Sequence, residues 1–182
     1  MAINSVELSR NSVASKKDIG GTKVKFHIRV RACALIIQEE SVLLIEFQDE
    51  NGLHYNLPAG GVEPNESVVE AVKREAREEA SVDINVGRIA FVYEYAPHLA
   101  SRLYDPAPHG LSLIFDCTLK EGSSPRMPEK PDPNQTAVKW IPLSELGRVT
   151  LYPNIKKHIV EYVRCRSNNI MLIEEHELEP NE

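Results

Sequence analysis

The sequence predicts an α+β fold in which strands outnumber helices. Runs of strand-forming residues recur along the chain, and the first, FHIRVRACALII, alternates apolar and polar side chains with the period of two that is typical of a strand. By contrast, two segments show helical spacing, one in the middle of the chain and one near its end. A length of 182 residues indicates one domain with a sizeable core.

The predicted strands begin at Phe26. A Glu-Glu turn at 39–40 separates the first strand from a second, SVLLIEFQ, and DENG at 49–52 contains the Asn-Gly pair of a hairpin turn. The segment PAGGVEPNE that follows is predicted as a loop. Further strands are predicted at 86–95, at 111–119 and in AVKWIPL, and the proline-rich segment 120–136 is predicted as an irregular loop.

Two helices are predicted. The first runs from about Ser67 to Ala80, and Ser67 and Glu70 have the spacing of a capping box. The second runs from Asn154 to Arg166. Its apolar residues at helical spacing are Ile155, Ile159, Tyr162 and Val163.

The composition divides the chain into three parts. Residues 1–24 form a polar N-terminal extension, residues 25–166 the folded domain, and residues 167–182 an acidic C-terminal tail. The N-terminus has no apolar segment typical of a secretory signal, and no apolar stretch is long enough to span a membrane. The chain is therefore expected in the cytoplasm.

Charge and cysteine content exclude several classes of function. A net charge of −6 argues against binding a nucleic-acid polymer or a membrane surface, because both require basic residues. A small phosphate-bearing ligand remains compatible if a metal ion supplies positive charge. Cys33, Cys117 and Cys165 are odd in number and lack metal-ligand spacing, so neither disulfides nor zinc is indicated, and two of them lie in apolar runs typical of a core.

The stretch KREAREEA gathers three carboxylates on the middle helix. On a helical wheel of ~100° per residue, Glu79 lies ~40° and Glu78 ~60° from Glu75, on opposite sides. The adjoining arc is the predicted buried stripe, made of Val69, Val72, Ala76 and Ala80. A solvated charged face is one interpretation. A site for a hard cation is the other, because Glu75 and Glu79 flank the buried stripe and the like charges repel.

Spacing in the sequence favours the metal site. Gly60, five residues, Glu66, seven residues and then the run from Arg74 to Glu79 resemble the signature of the Nudix hydrolases, G-x5-E-x7-R-E-U-x-E-E-x-G-U, where U is a bulky aliphatic residue. The match covers residues 60–82 and ends on an aliphatic residue, Val82. It departs at two positions: Ala76 is a small U residue, and Ser81 replaces the closing glycine.

The resemblance implies a Nudix-type α/β/α sandwich around a mixed β-sheet, over roughly residues 25–166. It implies hydrolysis of a nucleoside diphosphate linked to a further group, with Mg²⁺ or Mn²⁺ as the cofactor. Carried over by position, Glu75, Glu78 and Glu79 bind the metal, and Arg74 and Glu66 support them. The backbone carbonyl of Gly60 or Ala59 adds another ligand.

The general base and the substrate contacts are less specified. Glu79 and Glu75 are candidates for the base within the signature, and Glu129 and Asp132 are candidates in the downstream loop, where simple solvation is the alternative. Candidates for substrate binding are Arg29, Arg31, His98 and Arg102. Tyr93, Tyr95 and Tyr104 could stack on a base or pack in the core. LPAGG and Pro97 look like features of ADP-ribose and nucleotide-sugar hydrolases, although Pro97 could equally end a strand.

Three functions are compatible with these residues. The first is cleavage of a nucleoside diphosphate derivative such as ADP-ribose or a nucleotide sugar. The second is pyrophosphohydrolysis of a nucleoside triphosphate, and the third is a non-catalytic nucleotide sensor, which the full set of glutamates disfavours. The expected partner is a nucleotide-type small molecule. The sequence does not specify an oligomeric state, and a homodimer is compatible with it.

Overall fold

The structure is a computed structural model that describes residues 27–99, 108–165 and 169–181. The strands in these ranges are β1 (Arg29–Gln38), β2 (Ser41–Asp49), β3 (Gly52–Asn56), β4 (Ala59–Gly61), β5 (Ile84–Tyr95), β6 (Gly110–Leu119), β7 (Gln135–Pro142) and β8 (Met171–Glu174). The α-helices are α1 (Val68–Ala80) and α2 (Lys156–Cys165). Strands therefore dominate, as the sequence predicts.

The strands form one mixed sheet. Its order is β3-β2-β1-β6-β5-β8, with β4 paired to β1 and β7 paired to β2. β1 runs parallel to β6 and β5 parallel to β8, whereas the β1–β2, β2–β3 and β5–β6 pairs are antiparallel. Pairing of β4 with β1 places Gly60 opposite Ala32, next to the centre of the sheet.

A helix covers each face of the sheet. Alternate residues of β1 point to opposite faces, so Ala34 packs in the cluster that contains α1 and Leu35 in the cluster that contains α2. The α1 side buries Ala71, Val72, Ala76 and Ala80, and the α2 side buries Ile155, Ile159 and Tyr162. This layering confirms the predicted α/β/α sandwich. Val69 departs from the predicted stripe, since 37% of it is exposed.

The predicted turns and loops are largely confirmed. Glu39 and Glu40 connect β1 to β2 with positive φ angles of 48° and 57°. Gly52 closes the β2–β3 hairpin with a φ of 99°, which glycine adopts without strain. The segment between β6 and β7 contains no helix or strand from Lys120 to Asn134.

Two segments differ from the prediction. The prediction of a loop at PAGGVEPNE is wrong at its start, because Ala59–Gly61 forms β4; glycines weaken the pattern of a strand, and backbone pairing with β1 stabilises it instead. In 167–182, where no element was predicted, β8 extends the sheet beside β5. The division at residues 24 and 166 stays a prediction, and residues 1–24 lie outside the described ranges.

Cysteine placement agrees with the sequence. Cys33 and Cys117 are buried and Cys165 is exposed, and all three are free thiols. Burial raises the pKa of Cys33 to about 11 and that of Cys117 to about 12, as expected for core thiols. No helix in the described part of the chain is long and apolar enough to cross a membrane.

Candidate active site

Helix α1 is fixed at both ends. The Ser67 hydroxyl accepts a hydrogen bond from the Glu70 N–H, and the Glu70 side chain accepts one from the Ser67 N–H, which confirms the predicted capping box. At the other end Ser81 has a φ of 55°, in the left-handed region that the closing glycine of the signature would favour. Both caps fix the position of the glutamates relative to β4.

A cavity of about 520 Å³ lies between the β4 backbone and α1. All three signature glutamates line it, together with residues of β1, β2, β3 and the loop before β7. Its main lining residues are Arg29, Arg31, Phe47, Asn56, Ala59, Gly60, Gly61, Glu75, Glu78, Glu79 and Asp132. The structure therefore brings most of the predicted site residues together.

The carboxylate of Glu75 lies directly against Gly60. A Cβ at Gly60 would lie 1.9 Å from Glu75 Oε1, so only glycine leaves room for this carboxylate. Glu75 is 8% exposed, and burial raises the pKa of its side chain, although the adjacent Arg74 opposes the shift. The contact explains the pairing of glycine and glutamate across the signature.

Arg74 is the centre of an ion-pair network. Its Nη2 donates to Glu66 Oε1 at 2.7 Å and to the Gly61 carbonyl at 3.0 Å, and its Nε donates to Glu66 Oε2. Its Nη1 donates to Glu75 Oε1 at 2.7 Å and to Glu78 Oε2 at 2.9 Å. The hydrogen bonds from Arg74 also lower the pKa of Glu66. The guanidinium thus offsets the repulsion between the clustered carboxylates and holds them toward β4.

Glu79 is the most deeply buried of the three glutamates. It is 6% exposed, and its Oε2 accepts a hydrogen bond from the Ala59 N–H at 2.9 Å. Burial, together with the charges of Glu75 and Asp132, raises the pKa of Glu79 to about 8, although the hydrogen bond from the Ala59 N–H opposes the shift. A carboxylate in this position is stabilised in its charged form by a cation.

These residues fit a hard divalent cation. Mg²⁺ and Mn²⁺ take oxygen ligands, and the cavity offers three glutamate carboxylates, one of which occupies the space beside Gly60. The residues that could hold the ion are Glu75, Glu78 and Glu79, with the carbonyl of Gly60 or Ala59. The Ala59 carbonyl already accepts a bond from Arg31 Nη2 at 3.0 Å.

The remaining predicted residues divide into three groups. Arg29, Arg31 and Asp132 line the cavity. Glu129 and Pro97 are not among its lining residues; Glu129 is exposed in the loop, and Pro97 directly follows β5 and residue Ala96. Arg102 lies outside the described residues.

The aromatic and histidine candidates within the described residues are not among those that line this cavity. Tyr93 is buried and donates to Glu175 Oε2 at 2.6 Å, so it packs in the core of the α2 side. Tyr95 packs against the same core, and His98 is exposed beyond the end of β5. Tyr104 lies outside the described residues.

Sequence reasoning missed three residues at the site. Phe47 on β2 and Asn56 at the end of β3 line the cavity, and Gln135 at the start of β7 contacts both α1 and the adjacent loop. The Oδ1 atom of Asn56 is buried and has no hydrogen-bond partner among the described residues. Nothing local marks these positions, because they reach the cavity through sheet pairing.

A second group of potential ligands lies in the C-terminal segment. Glu174, His176 and Glu177 place one ligand atom each within 4.8 Å of one another. His176 and Glu177 are exposed, and exposed acidic groups of this kind are common without an ion. The group is distant in sequence from the signature and is not assigned a function.

The sequence of the chain matches a known family over most of its length. The model of the Nudix domain matches residues 27–163, which contain the cavity, α1 and most of α2. The chain belongs to the Nudix hydrolase family. The resemblance stated from residues 60–82 is therefore confirmed.

The relatives that match this chain carry names for different activities. The NAD-capped RNA hydrolase NudC of Stutzerimonas stutzeri (strain A1501) is 30% identical over 112 residues, which span 62% of this chain and 36% of that protein. The nucleoside triphosphatase NudI of Escherichia coli O9:H4 (strain HS) is 30% identical over 96 residues, which span 49% of this chain and 67% of that protein. The first comparison thus covers only about a third of the relative.

Solved structures confirm the fold. A NUDIX hydrolase from Nitrosomonas europaea superposes with a TM-score of 0.61 at 20% identity, covering 81% of this chain and 79% of that one. An ADP-ribose pyrophosphatase from Streptococcus suis 89-1591 superposes with a TM-score of 0.56 at 22% identity, covering 80% and 99%. At these identities the likeness concerns architecture alone.

Proposed function

We propose that this protein is an Mg²⁺-dependent pyrophosphohydrolase that cleaves a nucleoside diphosphate linked to a further group, such as ADP-ribose or a nucleotide sugar. One observation carries the proposal: a single cavity is lined by the three signature glutamates and by two arginines, Arg29 and Arg31. Carboxylates bind divalent cations, and guanidinium groups bind phosphate oxygens. A site that offers both is compatible with a pyrophosphate and its metal ion.

Each group in the cavity has a proposed role. Glu75, Glu78 and Glu79 bind the cation, and Arg74 and Glu66 keep them oriented. A cation held there would neutralise phosphate oxygens and lower the pKa of the attacking water. Arg29 and Arg31 bind the phosphates, and Mn²⁺ is expected to substitute for Mg²⁺.

Asp132 is the proposed proton acceptor for the attacking water. It is the one cavity-lining carboxylate in the loop before β7, and it is exposed, so it can exchange the proton with solvent. Glu129 does not line the cavity. Glu75 is tied to Arg74, and Glu79 to the Ala59 N–H. Between the two loop acids we therefore propose Asp132.

Nucleoside triphosphates are the second candidate substrates. The relatives named nucleoside triphosphatase share 30% identity over 96 residues, which favours this alternative from sequence. The products distinguish the two reactions. A diphosphate derivative yields a nucleoside monophosphate and a second phosphorylated fragment, whereas a triphosphate yields a monophosphate and inorganic pyrophosphate.

A panel assay tests the proposal. The full chain is incubated with Mg²⁺ or Mn²⁺ and ADP-ribose, nucleotide sugars, NAD or nucleoside triphosphates, and the products are separated by chromatography. We expect turnover of at least one diphosphate derivative that stops when the metal is chelated. Absence of hydrolysis across the panel would exclude both enzyme proposals and leave the sensor, which binding measurements with the same compounds would detect.

Glu79→Gln should lower kcat by about 100-fold or more, because an amide is a poor ligand for a hard cation. Folding should be retained, since the amide fits the same space and carries no buried charge. Steady-state kinetics and thermal unfolding of both proteins measure the two effects. Glu121→Gln, at an exposed glutamate of the loop after β6, is the control and should match the wild type.

A further inference from the structure

Gln135 joins the metal-binding helix to the loop that carries Asp132. It is 7% exposed at the start of β7. Its Nε2 donates to the Glu79 carbonyl at 2.7 Å, and its Oε1 accepts from the Asp132 N–H at 3.2 Å. One side chain therefore contacts the backbone of a proposed metal ligand and the backbone of the proposed base.

Other hydrogen bonds fasten the same loop to the end of α1. The Arg126 N–H donates to the Ala80 carbonyl at 3.0 Å, and the Asp83 N–H donates to Ser123 Oγ at 2.8 Å. The last carbonyls of a helix have no partner within the helix, so this loop satisfies groups that α1 leaves open. The loop is thus docked on α1 beside the glutamates.

The chain next to Asp132 is locally stiff. Asp132 stands between Pro131 and Pro133, and each proline ring fixes its own φ angle. Its carbonyl also accepts from the Gln135 N–H at 3.0 Å. The four-residue turn from Asp132 to Gln135 is therefore closed by a backbone hydrogen bond and a side-chain hydrogen bond, and its placement depends on where Gln135 is anchored.

We propose that Gln135 is a positioning residue, whose amide fixes Asp132 at the cavity relative to Glu79. The inference rests on the proposed function, because it assigns Gln135 an effect that acts through the proton acceptor. A base contributes only when it stands within hydrogen-bond reach of the water it deprotonates, so a loosened loop reduces turnover. Substrate binding by Arg29 and Arg31 does not involve Gln135.

Double-mutant kinetics test this role. Gln135→Met keeps the size of the side chain and removes its hydrogen bonds to the Glu79 carbonyl and the Asp132 N–H, together with the weak one to Met127 Sδ. With ADP-ribose, or the panel compound that the wild type hydrolyses fastest, we expect kcat to fall about 10-fold with KM within about 3-fold. Asp132→Asn should lower kcat by about 100-fold. The double variant should be no slower than Asp132→Asn alone, because Gln135 acts through Asp132.

Gln48→Met is the matched control. Gln48 is exposed on β2, and its side chain donates to the carbonyl of the neighbouring Asp49 at 3.5 Å. It should have the kinetics of the wild type. Effects of Gln135→Met and Asp132→Asn that multiply in the double variant would overturn the proposal, as would a rise in KM at unchanged kcat.

Hydrogen exchange tests the positioning without activity. In Gln135→Met, peptides that cover residues 120–134 should exchange about 10-fold faster than in the wild type, while the middle of α1 keeps its protection. Unchanged exchange in the loop would contradict the proposal. If the wild type hydrolyses no compound of the panel, the proposed function fails, and the exchange experiment still decides whether Gln135 holds the loop.

Discussion

At the scale of residues, the site depends on contacts that leave little room for substitution. Glu75 occupies the space that a side chain at position 60 would fill. Arg74 contacts Glu66, Glu75 and Glu78 together, so one guanidinium compensates a cluster that would otherwise repel itself. A cation bound there, as proposed, would therefore lie beside an existing positive charge, with Glu75 and Glu78 already oriented by Arg74.

Gly60→Ala should lower kcat/KM by about 100-fold with Mg²⁺ while leaving the fold intact. The added Cβ meets the end of the flexible Glu75 side chain, which can swing away but then leaves its place in the cavity. Activity titrated against Mg²⁺ and thermal unfolding measure the two effects. Gly147→Ala, where a Cβ meets no atom within 4 Å, is the control, and a loss of activity there as well would argue against this explanation.

Signature residues could be predicted from sequence because their spacing is local. The run from Arg74 to Glu79 lies on one helix, so its geometry follows from 3.6 residues per turn. Alternation along the first strand predicts that Arg29 and Arg31 share one face of it. Phe47 and Asn56 line the cavity and Gln135 contacts α1 only because strands that are distant in the chain pair with one another, so no local pattern predicts them.

At the scale of elements, α1 is stabilised at its start and strained at its end. The capping box of Ser67 and Glu70 satisfies backbone groups of the first turn. Ser81 takes a left-handed conformation that glycine adopts more readily, although its N–H still bonds to the Arg77 carbonyl at 3.0 Å. Serine in place of the closing glycine of the family signature therefore costs stability at this position, but the helix still ends here.

Ser81→Gly should raise the free energy of unfolding by about 0.5–1 kcal/mol. Glycine removes the steric cost of the left-handed conformation, and this gain exceeds the added freedom of the unfolded chain. Urea unfolding measures the change. Ser67→Ala, at the opposite end of α1, should lower stability by about 1 kcal/mol through loss of the cap. Destabilisation by Ser81→Gly would show that the serine side chain contributes more than its strain costs.

At the scale of the whole molecule, patterns in the sequence indicate strands and two helices but not the strand order. The resemblance to the Nudix family implied the layers, and the two core clusters confirm that a helix covers each face of the sheet. The parallel β1–β6 and β5–β8 pairs join segments that are far apart in the chain, and β8 pairs through the backbone of a segment with little periodicity. Long-range pairing of this kind leaves no local signal in a single sequence.

Glu46 connects three strands of the sheet away from the cavity glutamates. It lies on β2, is 7% exposed, and accepts hydrogen bonds from Tyr55 Oη at 2.6 Å, from Thr136 Oγ1 at 2.9 Å and from Lys139 Nζ. Burial alone would raise the pKa of Glu46, but the bonds from Lys139, Tyr55 and Thr136 together hold it below its ordinary value. The charged form is therefore the one that the folded protein stabilises.

Stability should consequently fall in acid. Because the folded-state pKa of Glu46 is lower than its unfolded value of about 4.3, its contribution is complete above that pH and is lost as pH falls through the folded pKa. Urea unfolding at pH 7 and at about pH 3.5 measures the loss. Glu46→Gln should be less stable than the wild type at pH 7 and should lose less on acidification. Equal losses in both proteins would assign the acid sensitivity to other carboxylates, with Glu121→Gln as the exposed control.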